Sequence, residues 1–362
     1  MKILVVSYKK PSENILNQLF LNILSKKIKI TFVTYESRVS TKYKTRTIKK
    51  KNSNISFFSV KNLSTLDTIK KKKKPQIILN YFIENLTYEF EKLYIHLKQK
   101  NIPSLKIIEH PFQWYRPFRK LKNKISKKKY IYDHAILCSK ISEYSHKHHS
   151  FKKKYFFCNI NYVQFKNDKE KIYKNKKLNV FLDENFVDHP DVKIHNLTNF
   201  PTSEKYHNQL IVFFDFIKKE FKKKVCIAAH PTTLKNKFNQ YKITYDNTLK
   251  LVKKANLIML HHSSAIDYAI LSKKDLLFLT SNEINKLQDA IVINKLSKFF
   301  NTRPLNLSMK YDYKIIEKRI VRYKDNVNVY NNFVKEFIKH PKFSNSTKLE
   351  KIYNDIISYK ES

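Results

Sequence analysis

The chain contains no glycine at all in 362 residues, where average usage of about 7% would supply roughly 25. Neither a Gly-rich dinucleotide loop nor a Walker phosphate loop can therefore exist, and Asn or Asp is expected wherever the backbone turns left-handed. Cysteine is scarce: Cys138, Cys158 and Cys226 are scattered and odd in number. That argues against a disulfide framework and for reduced thiols, two of them inside apolar runs, as in a cytoplasmic protein. No apolar run approaches the roughly 18–20 residues that a membrane span needs. The opening Met1-Lys2-Ile3-Leu4-Val5-Val6-Ser7 lacks the form of a signal peptide and reads as a first β-strand.

Lysine, asparagine, isoleucine, phenylalanine and tyrosine fill the space, and the formal net charge is +43. A nucleic-acid-binding face would gather the basic residues on one side with aromatics between them. Here lysine runs recur throughout, at 49–51, 70–74, 127–129, 152–154 and 222–224, mostly where loops or helix ends are expected. A solvated lysine coat is the plain reading. Attraction to an anionic membrane surface or acidic glycan stands beside it, and specific nucleic-acid binding is disfavoured. A hydrophobic share of 42% and an aromatic share of 14% are enough for sizeable cores.

The pattern of apolar runs predicts an α/β protein. Strands are expected at 3–7, 28–33, 55–60, 76–79, 105–108 and 135–138. A helix capped by Ser12 would carry Ile15, Leu16, Leu19, Phe20, Ile23 and Leu24 on one stripe, and a second would span 85–98. The second half repeats the alternation. Val180-Phe181-Leu182 is followed by a helix over 203–221, whose apolar face is Leu210, Phe213, Phe214 and Ile217. Strands at 225–229, 257–260 and 276–279 come next, then an amphipathic helical tail over 311–359. Two doubly wound Rossmann-like domains facing each other across a cleft are expected, 1–150 and 151–362, the latter carrying the tail.

Open parallel sheets bind ligands at the carboxyl ends of their strands, and several polar residues stand there. Asp183-Glu184 follow the strand at 180–182 and are candidates for a general base; a helix-terminal acid or a surface ion pair is the plain alternative. His230-Pro231 follow the strand at 225–229, where the imidazole can donate to a phosphate or bond a loop carbonyl. Ser263-Ser264 open the helix after the strand at 257–260, where hydroxyls and free amides suit an anion but also serve as caps. Asp188-His189-Pro190-Asp191 form a turn or part of an acceptor site. In the segment 110–116 the only tryptophan, Trp114, lies beside Arg116 and packs or stacks on a sugar. His146, His148 and His149 lack the partners a metal site needs, and none is expected.

Taken together, Phe181-Leu182-Asp183-Glu184, Ala228-Ala229-His230-Pro231 and His262-Ser263-Ser264-Ala265-Ile266-Asp267-Tyr268-Ala269 resemble bacterial surface-polysaccharide glycosyltransferases of the GT-B type, the sialyltransferases and polysialyltransferases. The Ser-Ser stretch is also similar to that of teichoic-acid glycerophosphotransferases. The resemblance covers about 180–282. It implies a CMP-activated donor and a glycan or glycolipid acceptor. It also implies a base at Asp183 or Glu184, leaving-phosphate stabilisation by His230, and nucleotide binding by His230, Pro231, Ser263 and Ser264. No metal or other cofactor is demanded, since a helix end and an imidazole can replace a divalent cation, and the reduced thiols and lysine excess suit a cytoplasmic protein that can sit peripherally on the inner membrane. Asn185 stands where those families carry glycine. A transferase using a CDP-linked glycerol-phosphate donor is the runner-up, and a non-catalytic basic nucleic-acid-binding protein is the reading from another class.

Overall fold

A computed structural model describes residues 1–8, 10–36, 53–81, 87–98, 102–108, 130–145, 149–173, 177–189, 192, 200–231, 233, 237–238, 240–245 and 247–359. The segment 110–116, His146, His148, Pro190 and Asp191 lie outside these residues. Two compact units emerge. The first comprises Met1–Pro111, Ser126–Ile160 and Lys339–Ser362, and the second Phe112–Ile125 and Asn161–Ile338.

The first unit holds a seven-stranded parallel sheet in the order β3-β2-β1-β4-β5-β6-β7. Its strands are β1 Lys2–Ser7, β2 Lys29–Tyr35, β3 Ile55–Val60, β4 Ile77–Tyr81, β5 Ser104–Ile108, β6 Tyr130–Leu137 and β7 His149–Phe156. The apolar runs expected to be strands are strands. β7 departs from expectation, because 146–154 reads as a charged linker. Exposed Lys152 and Lys154 alternate with partly covered neighbours on this edge strand, and lysine on an edge discourages pairing with another chain.

The expected helix over 12–24 is broken in two. Ser12 caps the first piece, its Oγ accepting from the Ile15 amide at 3.3 Å, but Phe20 adopts φ 56° and restarts the chain as Leu21–Leu24. Ring burial decides this, since Phe20 is fully buried and meets Phe157 edge-on at 5.5 Å.

The second unit repeats the winding with six parallel strands in the order β10-β9-β8-β11-β12-β13. These are β8 Leu178–Leu182, β9 Lys224–Ala228, β10 Lys242–Thr244, β11 Leu257–Leu260, β12 Asp275–Thr280 and β13 Leu305–Asn306. Thr202 caps the helix Ser203–Glu220 by accepting from the Lys205 amide, and Leu210, Phe213, Phe214 and Ile217 are buried against the sheet as their spacing requires. The order places β8 between strands wound in opposite directions. The switch point, where such sheets bind ligands, lies between the carboxyl ends of β8 and β11.

The tail is not one domain's property. Its helices Tyr313–Arg319 and Val327–Phe333 belong to the second unit, but Lys339–Ser362 belongs to the first, where the sequence reading attached all of it to the second domain. The helix Leu349–Ser358 explains this. Leu349, Ile352, Tyr353 and Ile356 form its buried stripe, and Phe343 ahead of it packs on Phe157 at 5.0 Å.

Left-handed positions without glycine fall to Phe20, Lys74, Asn185, Lys222, Lys273 and Asn301 among the described residues. Asparagine takes only some of them; lysine takes three. Each non-glycine left-handed residue costs on the order of 1 kcal/mol, which the surrounding packing must outweigh. Most of the described lysines are solvated. Lys253 is an exception, buried with its Nζ 3.0 Å from Asp168 Oδ2 and donating to the Glu170 carbonyl.

Candidate active site at the carboxyl edge of the second sheet

Parallel register aligns Leu182 of β8 with Ala228 of β9 on one side and Leu260 of β11 on the other. The residues that follow these three strands therefore leave the sheet from one edge. They are Asp183-Glu184, Ala229-His230 and His261 through Ser264, the segments singled out by sequence. The acidic pair joins the other two loops, one carboxylate to each.

Asp183 reaches toward β9. Its Oδ2 accepts from the Thr233 hydroxyl at 2.8 Å and from the His230 amide at 3.4 Å, while Oδ1 accepts from the Asn185 amide at 2.9 Å. The last bond closes a two-residue side-chain turn that holds Asn185 at φ 51°. Burial outweighs these donors and raises the Asp183 pKa. Both oxygens are engaged, so this side chain organises the loop.

Glu184 reaches toward β11. Its Oε1 accepts from the His262 amide at 2.9 Å and the His261 amide at 3.2 Å. Oε2 is buried with no hydrogen-bond partner among the described residues. Burial pushes its pKa up to about 7, against the pull of the His262 charge and the two amides. His262 in turn has its Nε2 3.3 Å from Asp289 Oδ1. Burial works against the His262 charge, but Glu184 and Asp289 outweigh it and hold that imidazole above its usual pKa. A carboxylate poised near neutrality, with one oxygen unused, is the arrangement general-base chemistry asks for.

The remaining candidates are placed less tightly. The His230 ring meets His189 edge-on at 5.3 Å, and Pro231 is exposed. Ser263 is nearly buried and its Oγ accepts from the Ala265 amide at 3.3 Å, a local side-chain turn ahead of the helix, whereas Ser264 is exposed. The helix that follows is only Ile266–Leu271, so its dipole supplies less anion attraction than a long helix would. Asn161 fastens this loop, donating to Asp267 Oδ2 at 2.9 Å and to the Ser264 carbonyl at 3.1 Å. Asp188 accepts from Lys237 Nζ at 2.8 Å and Ser203 Oγ at 2.9 Å; these outweigh its partial burial and hold it below the usual carboxylate range.

His261, which the sequence placed in this segment without a role of its own, is a fixed support. Its Nδ1 lies 2.8 Å from the Leu279 carbonyl and must donate there, so Nε2 accepts from the Tyr206 hydroxyl at 3.0 Å. Burial lowers its pKa to about 4, and it stays neutral. Tyr206→Phe strands this buried nitrogen. The expected cost is about 1–3 kcal/mol of unfolding free energy, read as a lower denaturant midpoint, as for other buried groups left unpaired. An unchanged midpoint would show that the pair supports nothing.

Thr233 had a signal in the sequence, three residues beyond His230 in the same loop. Asp289 and Tyr206 had none, since they arrive from distant helices. A cavity of about 310 Å³ lies at the opposite, amino edge of the sheet, lined by Asn179, Asn256, Leu257 and Asp275, and includes none of the site residues.

No protein-family model matches the sequence, and no curated protein does. Solved structures do. Os79 from O. sativa in complex with UDP aligns with a TM-score of 0.54 at 8% identity, covering 98% of this chain and 99% of that one. A variant of the wall teichoic acid polymerase TagF aligns at 0.50 and 11% identity, covering 98% and 88%. At such identities the likeness speaks to architecture. The chain has the fold of the GT-B proteins, two Rossmann-like α/β domains in series.

Proposed function

We propose that this protein is a glycosyltransferase that moves a sugar from a CMP-activated donor to a hydroxyl of a surface glycan or glycolipid. The single observation carrying this reading is Glu184. It stands at the switch point of the second sheet, tied by two amides through one oxygen, with the other unused and its pKa near 7. The bound UDP named for Os79 adds that a fold of this kind accommodates a pyrimidine nucleotide.

In the reaction, the acceptor oxygen forms a bond to the anomeric carbon while its proton passes to Glu184. The bond from that carbon to the donor phosphate breaks, and CMP leaves. Charge gathers on the phosphate as it departs. His230 and the Ser263/Ser264 segment meet it there, and stabilising charge where it develops is usually the largest catalytic contribution. Asp183 keeps the His230 loop in place. Glu184 and Asp289 raise the His262 pKa, which favours positive potential beside the same edge. No metal is assigned a role. The lysine coat would favour an anionic membrane face, where a lipid-linked acceptor resides.

Thermal melting with CMP, CDP, UDP and GDP tests the donor. A ligand at a hundred times its Kd stabilises by about 2.7 kcal/mol, so CMP should raise the midpoint by several degrees and UDP should not. Stabilisation by UDP alone would replace the cytidine donor with a uridine one; no response to any nucleotide would remove the transferase reading.

The likeness to TagF, named a wall teichoic acid polymerase, favours one second reading, transfer of glycerol phosphate from a CDP-linked donor. CMP is the leaving group in both. Turnover of CDP-glycerol against a CMP-linked nonulosonic acid separates them.

A further inference from the structure

The outer edge of the second sheet holds a depression of about 900 Å³ beside the short edge strand β13. Its walls come from the helix Asp289–Phe299, the loop before β13 and the end of the helix Tyr313–Arg319. Four cations line it: Lys298, Arg303, Lys318 and Arg319. None of them makes an ion pair among the described residues, and no carboxylate appears in the lining. Asn294 and Asn301 add side-chain amides with no hydrogen-bond partner among the described residues, and buried Thr280 and Ser297 form part of the wall.

We propose that this depression binds an anionic oligosaccharide, one bearing carboxylates or phosphates. Four like charges gathered around one concavity repel each other and create a positive potential that only an anion relieves. The amides and hydroxyls between them offer the mixed donors and acceptors that sugar hydroxyls require. The volume is within the roughly 300–1,000 Å³ of ordinary ligand sites. Among the described residues no aromatic ring lines it. A single-stranded nucleic acid, which binds by stacking its bases on aromatic side chains, therefore finds no platform here. The site shares no residue with the carboxyl-edge site, and its existence does not rest on the transferase reading.

The test uses the full chain and oligogalacturonate as probe, with calorimetry at about 0.15 M salt, where the screening length of about 8 Å suppresses diffuse attraction. The variant Lys298→Gln, Arg303→Gln, Lys318→Gln, Arg319→Gln should bind at least about tenfold more weakly, as loss of several charge-assisted hydrogen bonds requires. A control of equal charge, Lys71→Gln, Lys72→Gln, Lys73→Gln, Lys74→Gln, should change affinity less than about twofold. Asn294→Glu keeps every cation and adds a carboxylate to the wall, and it too should weaken the probe while leaving the melting midpoint intact. The CMP response should be the same in all variants, so failure here is distinct from failure of the donor assignment. Equal weakening in both quadruple variants, no binding at this salt, or equally tight oligothymidylate binding lost in the cavity variant would each overturn the proposal.

Discussion

Glu184→Gln is expected to lower turnover by about a hundred- to ten-thousandfold, the range that a positioned general base contributes, while leaving CMP affinity within about twofold of the parent. Glutamine keeps an oxygen for the His261 and His262 amides but cannot take a proton. The loss therefore falls on kcat and kcat/KM together, as for an interaction made only in the transition state. His230→Ala should do the reverse in part, weakening CMP as well as slowing release of the phosphate. The parent rate carries a second signature. The base is active as carboxylate, so kcat/KM should rise with pH up to about 7 and then level off. A Glu184→Gln enzyme with near-parental kcat would remove Glu184 from the chemistry, whatever becomes of the fold.

The same side chain makes a larger statement about stability. Its pKa is 4.5 in its ordinary state and about 7 in the folded protein, so the folded state binds more protons between those values. Stability must then fall as pH rises through that window, by about 1.4 kcal/mol per unit, for a total on the order of 3 kcal/mol. Below about pH 4.5 the carboxyl is neutral in both states and costs nothing; above about 7 the full penalty applies. Glu184 is 8% exposed, so little of this is screened by solvent. Glu184→Gln lacks the titration. Its unfolding free energy should gain about 3 kcal/mol on the parent between roughly pH 4.5 and 8, seen as a widening of urea midpoints. A constant difference across that range would mean that Glu184 is not held above its ordinary pKa. Together the two results would show a residue that costs stability at the pH where it is charged and useful, the usual trade at a strained functional site.

Apolar runs bounded by polar residues were readable because a strand covered on both faces needs nearly every position apolar. β1, β8, β11 and β12 meet that condition, and each lies where the sequence reading put it. β7 does not meet it, since an edge strand covered on one face tolerates lysine at alternate positions. The break at Phe20 was hidden for another reason: an apolar stripe at helical spacing says which face is buried, but not whether the backbone stays helical throughout. The ownership of Lys339–Ser362 was equally out of reach, because an amphipathic stripe is a demand for a partner and does not name one.

Within the site, the residue types and their order along the chain were legible: Asp183-Glu184, then His230-Pro231, then Ser263-Ser264, each after a buried run. The sequence by itself determined that these segments end strands of one parallel sheet, because apolar runs with intervening helices admit little else. Only the tertiary structure separated the two acids. Asp183 is drawn to Thr233 and the His230 amide, and Glu184 to the amides of His261 and His262. Hydrogen-bond geometry and desolvation are properties of the neighbours in space, so two carboxylates adjacent in the chain acquired one structural and one poised oxygen. Tyr206 and Asp289, which complete the site from elsewhere in the chain, are brought in by strand order and helix packing, which no local pattern encodes.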